Sequence, residues 1–259
     1  MSALLRRLLM RLALAMLALP MLSAASEPVL VPEVSQRSIQ IKYGFTGAEL
    51  LLFGAIVYPG GRVPDGDSDI IVVLKGPVQS IILREKQKVA GIWVNAASTE
   101  YRSAPSYYAL ASSRPLDAIV DSRTAAIYEL GLDNLQLSPA SSIDPDEQRR
   151  FAAGLADLNQ RNGLYVQSEN SVTINEGVLY QARLKIPASV PVGTYTAETF
   201  LVRDGMVLAA ASREIKVGKY GFERFIATVA EYRSFAYGLA AIAISLLLGW
   251  VAGLVFQRL

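Results

Sequence analysis

The 259-residue chain contains no cysteine and no histidine. Without cysteine it has no disulfide, no thiol nucleophile, no thiolate metal site and no lipid-modified cysteine. Without histidine it lacks the commonest general base and the commonest zinc ligand, and a Ser-His-Asp arrangement is excluded. The GxSxG, SxxK, Walker A, GxGxxG and HExxH patterns are also missing. Glycoside hydrolysis needs only carboxylates, and pairs such as Asp144 with Asp146 exist, but that pair reads better as the start of a helix. The expectation is a non-enzymatic protein with no cofactor and no metal.

Charge is absent from one long stretch. Ala236 to Phe256 holds no Asp, Glu, Lys or Arg. At ~1.5 Å per residue a helix of that run is about 31 Å long, against a bilayer core of roughly 30 Å. A single segment inside lipid satisfies its backbone groups only as a helix, so the run predicts one transmembrane span at 236–256. At the other end Arg6, Arg7 and Arg11 precede an apolar centre, Leu12 to Leu19, broken by Pro20 and followed by the small residues Ser23, Ala24 and Ala25. That pattern predicts a cleavable signal peptide over 1–25, which places the bulk of the chain outside the cytoplasm and Gln257 to Leu259 inside. Four of the 25 basic residues lie in the leader and the tail, so the exported part, with its 23 acidic residues, carries about −2. Nothing in that balance points to nucleic acid.

Between leader and span the pattern is mainly β. Ser38 to Tyr43 alternates, and Glu49 to Val57 is apolar on both faces, as a central strand covered on both sides would be. Ile70 to Leu74, Val78 to Leu83 and Gly91 to Asn95 follow, punctuated by Gly and Pro. Helical signals then open at Ser103 and Pro105, at Arg114-Pro115, and at Asp121 toward Gly131. The clearest runs from Pro145 to Asn162, with Asp144 as cap and Phe151, Leu155 and Leu158 as an apolar stripe. Strands resume at Val178 to Ile186, Gly193 to Arg203 and Met206 to Val217, the last two joined at Asp204-Gly205. The segment ending at Tyr195 has the pattern of an immunoglobulin-like crossing, in which a tyrosine secures the corner. The expected fold is mainly β: an immunoglobulin-like β-sandwich over 26–218 with a helical insert at about 103–162. Two smaller domains with a helical linker are the alternative. A juxtamembrane helix over 219–235 is expected to run into the span, with Tyr232, Phe235 and Tyr237 as an interfacial belt.

Five segments, Asp69-Ile-Ile-Val-Val-Leu-Lys-Gly-Pro77, Arg84-Glu-Lys-Gln-Lys88, Gly91-Ile-Trp-Val-Asn95, Pro105-Ser-Tyr-Tyr108 and Ser113-Arg-Pro-Leu116, together resemble the alphaproteobacterial transmembrane protein family Alph_Pro_TM. The resemblance implies a Gram-negative inner membrane with the exported domain in the periplasm. It brings no assigned activity and therefore no catalytic residues. Its members stand beside sulfite or sulfonate exporter-like permeases, which points to a permease of that kind as partner.

Candidate sites come from residue patterns. Arg84, Lys86 and Lys88 alternate on an expected strand and so share a face about 7 Å apart, a ladder able to hold an oxyanion with help from Arg102. The plainer reading is a solvated edge strand guarded by lysine. Asp65, Asp67 and Asp69 are spaced like calcium ligands, yet Ile70 and Gly76 stand where such a loop needs Gly and Glu, so a turn is expected. Trp93 reads either as a ligand platform or as a buried core residue. Tyr107 and Tyr108 read as the rim of an aromatic groove, or as packing between insert and sheet. In the span, Ala241, Ser245, Gly249 and Gly253 recur every four residues and predict a helix-packing face for a membrane partner or a second copy. These patterns lead to a single-pass accessory or interaction subunit. The alternative is a membrane-anchored binding module for a small anionic ligand.

Overall fold

The computed structural model describes residues 27–41, 45–64, 66–141, 143–219 and 222–256. The leader at 1–25, Tyr43, Asp65 and the tail at 257–259 lie outside the described residues. Two sheets face each other across the main core. One is antiparallel, in the order β1 (Val29–Val34), β3 (Gly47–Val57), β11 (Leu179–Pro187), β10 (Val172–Asn175). The other runs β2 (Ser38–Ile41), β13 (Met206–Lys219), β12 (Gly193–Arg203), β4 (Asp69–Lys75), β7 (Tyr108–Ser112), β9 (Tyr165–Ser168). Only its two edge pairings, β2 with β13 and β7 with β9, are parallel. The strand orders β1-β3-β11-β10 and β13-β12-β4 follow the A-B-E-D and G-F-C orders of immunoglobulin sheets. Early strands pair with late ones in both sheets: β3 with β11, β4 with β12 and β2 with β13.

The main core is made by residues alternating inward from both sheets, among them Leu50, Leu52 and Ile56 from β3, Ile70, Val72 and Leu74 from β4, and Leu184 and Ile186 from β11. The opposite face of the second sheet is also covered. There Ile71, Val73, Leu110 and Phe200 pack under two short helices, α1 (Leu116–Ile119) and α2 (Ser122–Ile127), through Ile119 and Ala125. Being covered on both faces, β4 is buried from Asp69 to Leu74 and β7 over its whole length. The Asp204-Gly205 turn, with φ of 50° and 78°, joins β12 to β13 as the sequence indicated. Tyr195 Oη donates to the Pro191 carbonyl at 2.8 Å, closing the corner before β12. Burial pushes its phenol up to about 12, so it stays a donor at any ordinary pH.

Three expectations change. The helix expected to open at Ser103 and Pro105 is strand: β6 (Ile92–Pro105) runs to Pro105 and β7 begins at Tyr108, so the helical stretch starts at Leu116. A short apolar run of Tyr, Ala and Leu has no decisive period, and two-sided burial settled it as strand. β3 is not covered on both sides, because Phe53 and Val57 on its outer face are exposed. Gly54 on that strand has a packing reason: a Cβ there would lie 2.4 Å from the Val31 carbonyl oxygen and 2.6 Å from Tyr180 Oη. Finally, Val78–Leu83 and Gly91–Asn95 are not strands of the sandwich. They belong to one long hairpin, β5 (Val78–Val89) and β6, with β8 (Ser138–Pro139) on its edge.

Beyond β13 come α4 (Phe222–Tyr232) and α5 (Ser234–Phe256). Only Arg233 separates them, and the hydrogen bonds from Arg233 N–H to the Val229 carbonyl and from Tyr237 N–H to the Arg233 carbonyl, both 2.9 Å, carry the helical path across it.

Candidate functional site

The hairpin is the feature that departs most from a plain sandwich. Its two strands continue the β4–β7 ladder: Gly76 N–H donates to Tyr107 O at 2.8 Å and Ser106 N–H to Pro77 O at 3.0 Å, and the β5–β6 pairing then begins at Val78 and Pro105. The turn at its far end is a two-residue one, Ala90 and Gly91, both with positive φ (50° and 87°), the conformation that matches the twist of paired strands.

One face of the hairpin is braced by α3 (Pro145–Arg161). Asp144 caps that helix by accepting from Asp146 N–H, and Pro145 takes the first helical position, where no N–H is needed. Phe151 and Leu155 on its inward side meet Tyr101, Ala104, Ile81 and Leu83 of the hairpin, and Tyr101 Oη donates to the Gln148 carbonyl at 3.4 Å. Leu158, the third member of the expected stripe, is instead exposed at the lip of a groove.

That groove, about 640 Å³, lies between β5 and α3 and is lined by Arg84, Lys86, Arg150, Phe151, Asp157 and Arg161. Arg150 pairs with Glu85 at 3.3 Å and Arg161 with Asp157 at 2.7 Å. Arg84 and Lys86 point away from Glu85, the one acidic residue of β5, and keep their charge for solvent or a ligand. Across the groove the two α3 arginines are each paired with a carboxylate, while Arg84 and Lys86 turn to the opposite face of β5 at its rim. Arg150, Asp157 and Arg161 were missed from sequence, although their i, i+7, i+11 spacing sets them on one helical face. Lys88 shares the Arg84 face but sits further out, opposite Trp93 near the turn. Arg102 does not join them: its guanidinium donates to the Ala140 carbonyl at 2.7 Å, toward the base of the hairpin.

The aromatic candidates separate. Trp93 is neither core nor groove but stands exposed near the hairpin tip. It was expected inside a sandwich because GIWVN reads as a core strand, and this strand has left the sandwich. Tyr107 and Tyr108 are fully buried on opposite faces of the second sheet. Tyr107 Oη donates to Lys185 O at 2.7 Å, with its ring 5.8 Å from Tyr195. Tyr108 Oη donates to Glu129 O at 2.9 Å and accepts from Gly131 N–H at 3.0 Å. Burial raises both phenols far above the ordinary tyrosine range, and each is a fixed core donor rather than the rim of a groove.

Two charged clusters close the account. Asp69 accepts from Ser113 Oγ at 2.7 Å and from both sides of the Arg114 guanidinium, which occupies the carboxylate once read as a third calcium-like position. Burial works to raise that carboxyl, but the hydrogen bonds and charge of Arg114 and Ser113 outweigh it and hold it below the usual range. At the hairpin base Lys75 lies 3.1 Å from both Glu129 and Glu198. Burial alone would lower Lys75, and the two carboxylates more than reverse this.

On α5, Ser234–Leu254 is long and apolar enough to cross a membrane, and none of it is buried against the rest of the chain. Ser245 Oγ donates to the Ala241 carbonyl at 2.9 Å, so the polar atom on the small-residue stripe is satisfied within the helix. Among the described residues a mostly β body is joined to one such helix, the arrangement of a single-pass membrane protein. The match of a family model described as "Putative transmembrane protein (Alph_Pro_TM)" over residues 29–258 makes the assignment specific: the chain belongs to that family. No curated protein and no solved structure matches it.

Proposed function

We propose that this is a single-pass subunit of a bacterial inner membrane whose β domain stands in the periplasm. There it acts, without catalysis of its own, as the docking part for an integral-membrane partner of the sulfite or sulfonate exporter-like permease kind. The observation that carries this reading is the outer face of the β1-β3-β11-β10 sheet. Val29, Val31, Phe53, Val57 and Leu179 are exposed there, and the register sets them side by side: Val29 opposite Val57, and Val31 and Leu179 on either side of Ala55. Contiguous apolar surface of this kind, rimmed by charges of both signs such as Glu49 and Arg183, marks an interaction surface. The test is recovery of partners with tagged full-length protein from mild detergent. Phe53→Ser with Leu179→Ser is expected to release a permease that co-purifies with the parent chain, without changing the circular dichroism spectrum. Equal recovery with both forms would sink the reading.

A second reading is favoured by the exposed face of β5, where Arg84 and Lys86 remain available to an oxyanion. Exposed cations of this kind give weak, salt-sensitive binding, which suits a docking role better than capture of a small molecule. Sulfate titration of the full-length protein by calorimetry decides it. Binding that weakens in Arg84→Ala and Lys86→Ala supports capture, and binding unchanged by both substitutions ends it.

A further inference from the structure

The end of the β5–β6 hairpin combines three features that the docking role does not use. It is apolar on both faces: Val89 and Ile92 oppose each other next to the turn, Val94 follows on their side, and Trp93 projects from the other. Ile92 and Trp93 are 69% and 66% exposed, high for residues of their size in a folded chain. Lys88 beside Trp93, then Lys86 and Arg84 further back, form a basic row, all exposed and all on the face that carries Trp93. An apolar knob with apolar side chains all round and a basic row along one face suits immersion in a headgroup layer. A one-sided protein groove would leave half of it in water.

The topology says where the knob points. β13, which leads through α4 to the span, ends beside the start of β12, with Gly193 opposite Val217. β4 ends at that same edge, with Thr196 of β12 opposite Lys75, and β5 leaves from there as a continuation of the β4–β7 ladder. The hairpin and the tether thus depart from one end of the sandwich. The 12 residues of β5 reach about 40 Å at ~3.3 Å per residue, whereas the 11 residues of α4 stand off only about 16 Å at ~1.5 Å per residue. The arm is long enough to meet the bilayer that holds α5.

We propose that the Val89–Val94 tip inserts into the interfacial layer of that bilayer, with Lys86, Lys88 and Arg84 on anionic lipid headgroups, so that the domain is fixed to the membrane at two points. Trp favours the membrane interface, and each basic residue near an anionic surface adds attraction that salt screens. This contact needs no protein partner, so it is tested in lipid alone and stands or falls independently of the docking role.

The protein offers a direct probe, since Trp93 and Trp250 are its two tryptophans. Full-length protein carrying Trp250→Phe is reconstituted into vesicles of phosphatidylethanolamine and phosphatidylglycerol, with and without lipids brominated high on the acyl chain. The expected result is loss of Trp93 emission to the bromolipid and protection from aqueous iodide, both diminished in Lys86→Glu with Lys88→Glu and at high salt. Quenching by iodide with no effect of bromolipid overturns the proposal. Emission shielded from both quenchers also overturns it, and assigns the tip to a contact between two copies. All these residues are exposed, so the substitutions leave the core intact, which circular dichroism checks.

Discussion

Asp69 opens β4 inside the body of the domain, and its carboxylate is answered by Arg114 and Ser113 across the β4–β7 pair. The two partners are unequally buried, with the Asp69 side chain 7% exposed and that of Arg114 51%. Removing each therefore has a different cost. Arg114→Met strands a buried charge and is expected to be the more destabilising of the two, whereas Asp69→Asn leaves an arginine that turns to water and costs about 1 kcal/mol. The pH dependence gives the sharper check. In the parent chain the folded carboxyl lies below its unfolded value, so its contribution is present at neutral pH and is lost as pH falls through that depressed range, below about 4. In Arg114→Met burial, the largest of the influences on this carboxyl, is opposed only by the Ser113 hydrogen bond, so the folded value rises above the unfolded one and the sign reverses. Thermal melts followed by circular dichroism should show the variant recovering stability between pH 7 and 4 while the parent chain does not.

At the scale of elements, the hairpin depends on α3. Leu155 is fully buried, and Phe151 nearly so, against Tyr101 and Ala104, in a cluster separate from the two cores of the sandwich. Leu155→Ala should remove about 2–4 kcal/mol from that local cluster. The loss is expected as faster amide exchange over Ile81 to Tyr101, with the β4 and β12 amides still protected, since regions with separate cores open separately. Uniform acceleration across the whole domain would show instead that the hairpin and sandwich form one unit. The helix itself was legible in its sequence through its aspartate cap, its proline and its stripe. So were the alternating basic residues of β5, because side chains on a strand keep a period of two wherever the strand lies. What could not be read was that β5 and β6 leave the sandwich, since a run such as GIWVN looks the same over a core as beyond its end. Trp93 was placed inside for that reason. Tyr107 and Tyr108 were open to two readings because neighbouring residues on a strand point to opposite faces, and only three layers give both a buried place.

At the scale of the whole molecule, the uncharged run at 236–256 and its continuity with the preceding helix were plain from composition, because an apolar segment of that length has few other fates. Whether the span binds another helix depends on Ala241, Ser245, Gly249 and Gly253, which line one side of α5. Among the described residues, a Cβ built at Gly249 or Gly253 meets no atom within 4 Å beyond its chain neighbours and the backbone of its own helix turns. Leucine at both positions consequently disturbs nothing within the monomer, and glycine to leucine even favours the helix. Any effect on association then reports a neighbour that approaches closely through the small residues, as backbones do in lipid. Gly249→Leu with Gly253→Leu is expected to weaken association of the full-length protein with its membrane partner, or with a second copy, by about tenfold or more, roughly 1.4 kcal/mol. Co-purification and chemical crosslinking in membranes would measure this, with unchanged insertion and an unchanged β spectrum as controls. A complex that survives both leucines places the contact elsewhere, on the outer face of the β1-β3-β11-β10 sheet, and the Phe53 and Leu179 substitutions would then carry the whole effect.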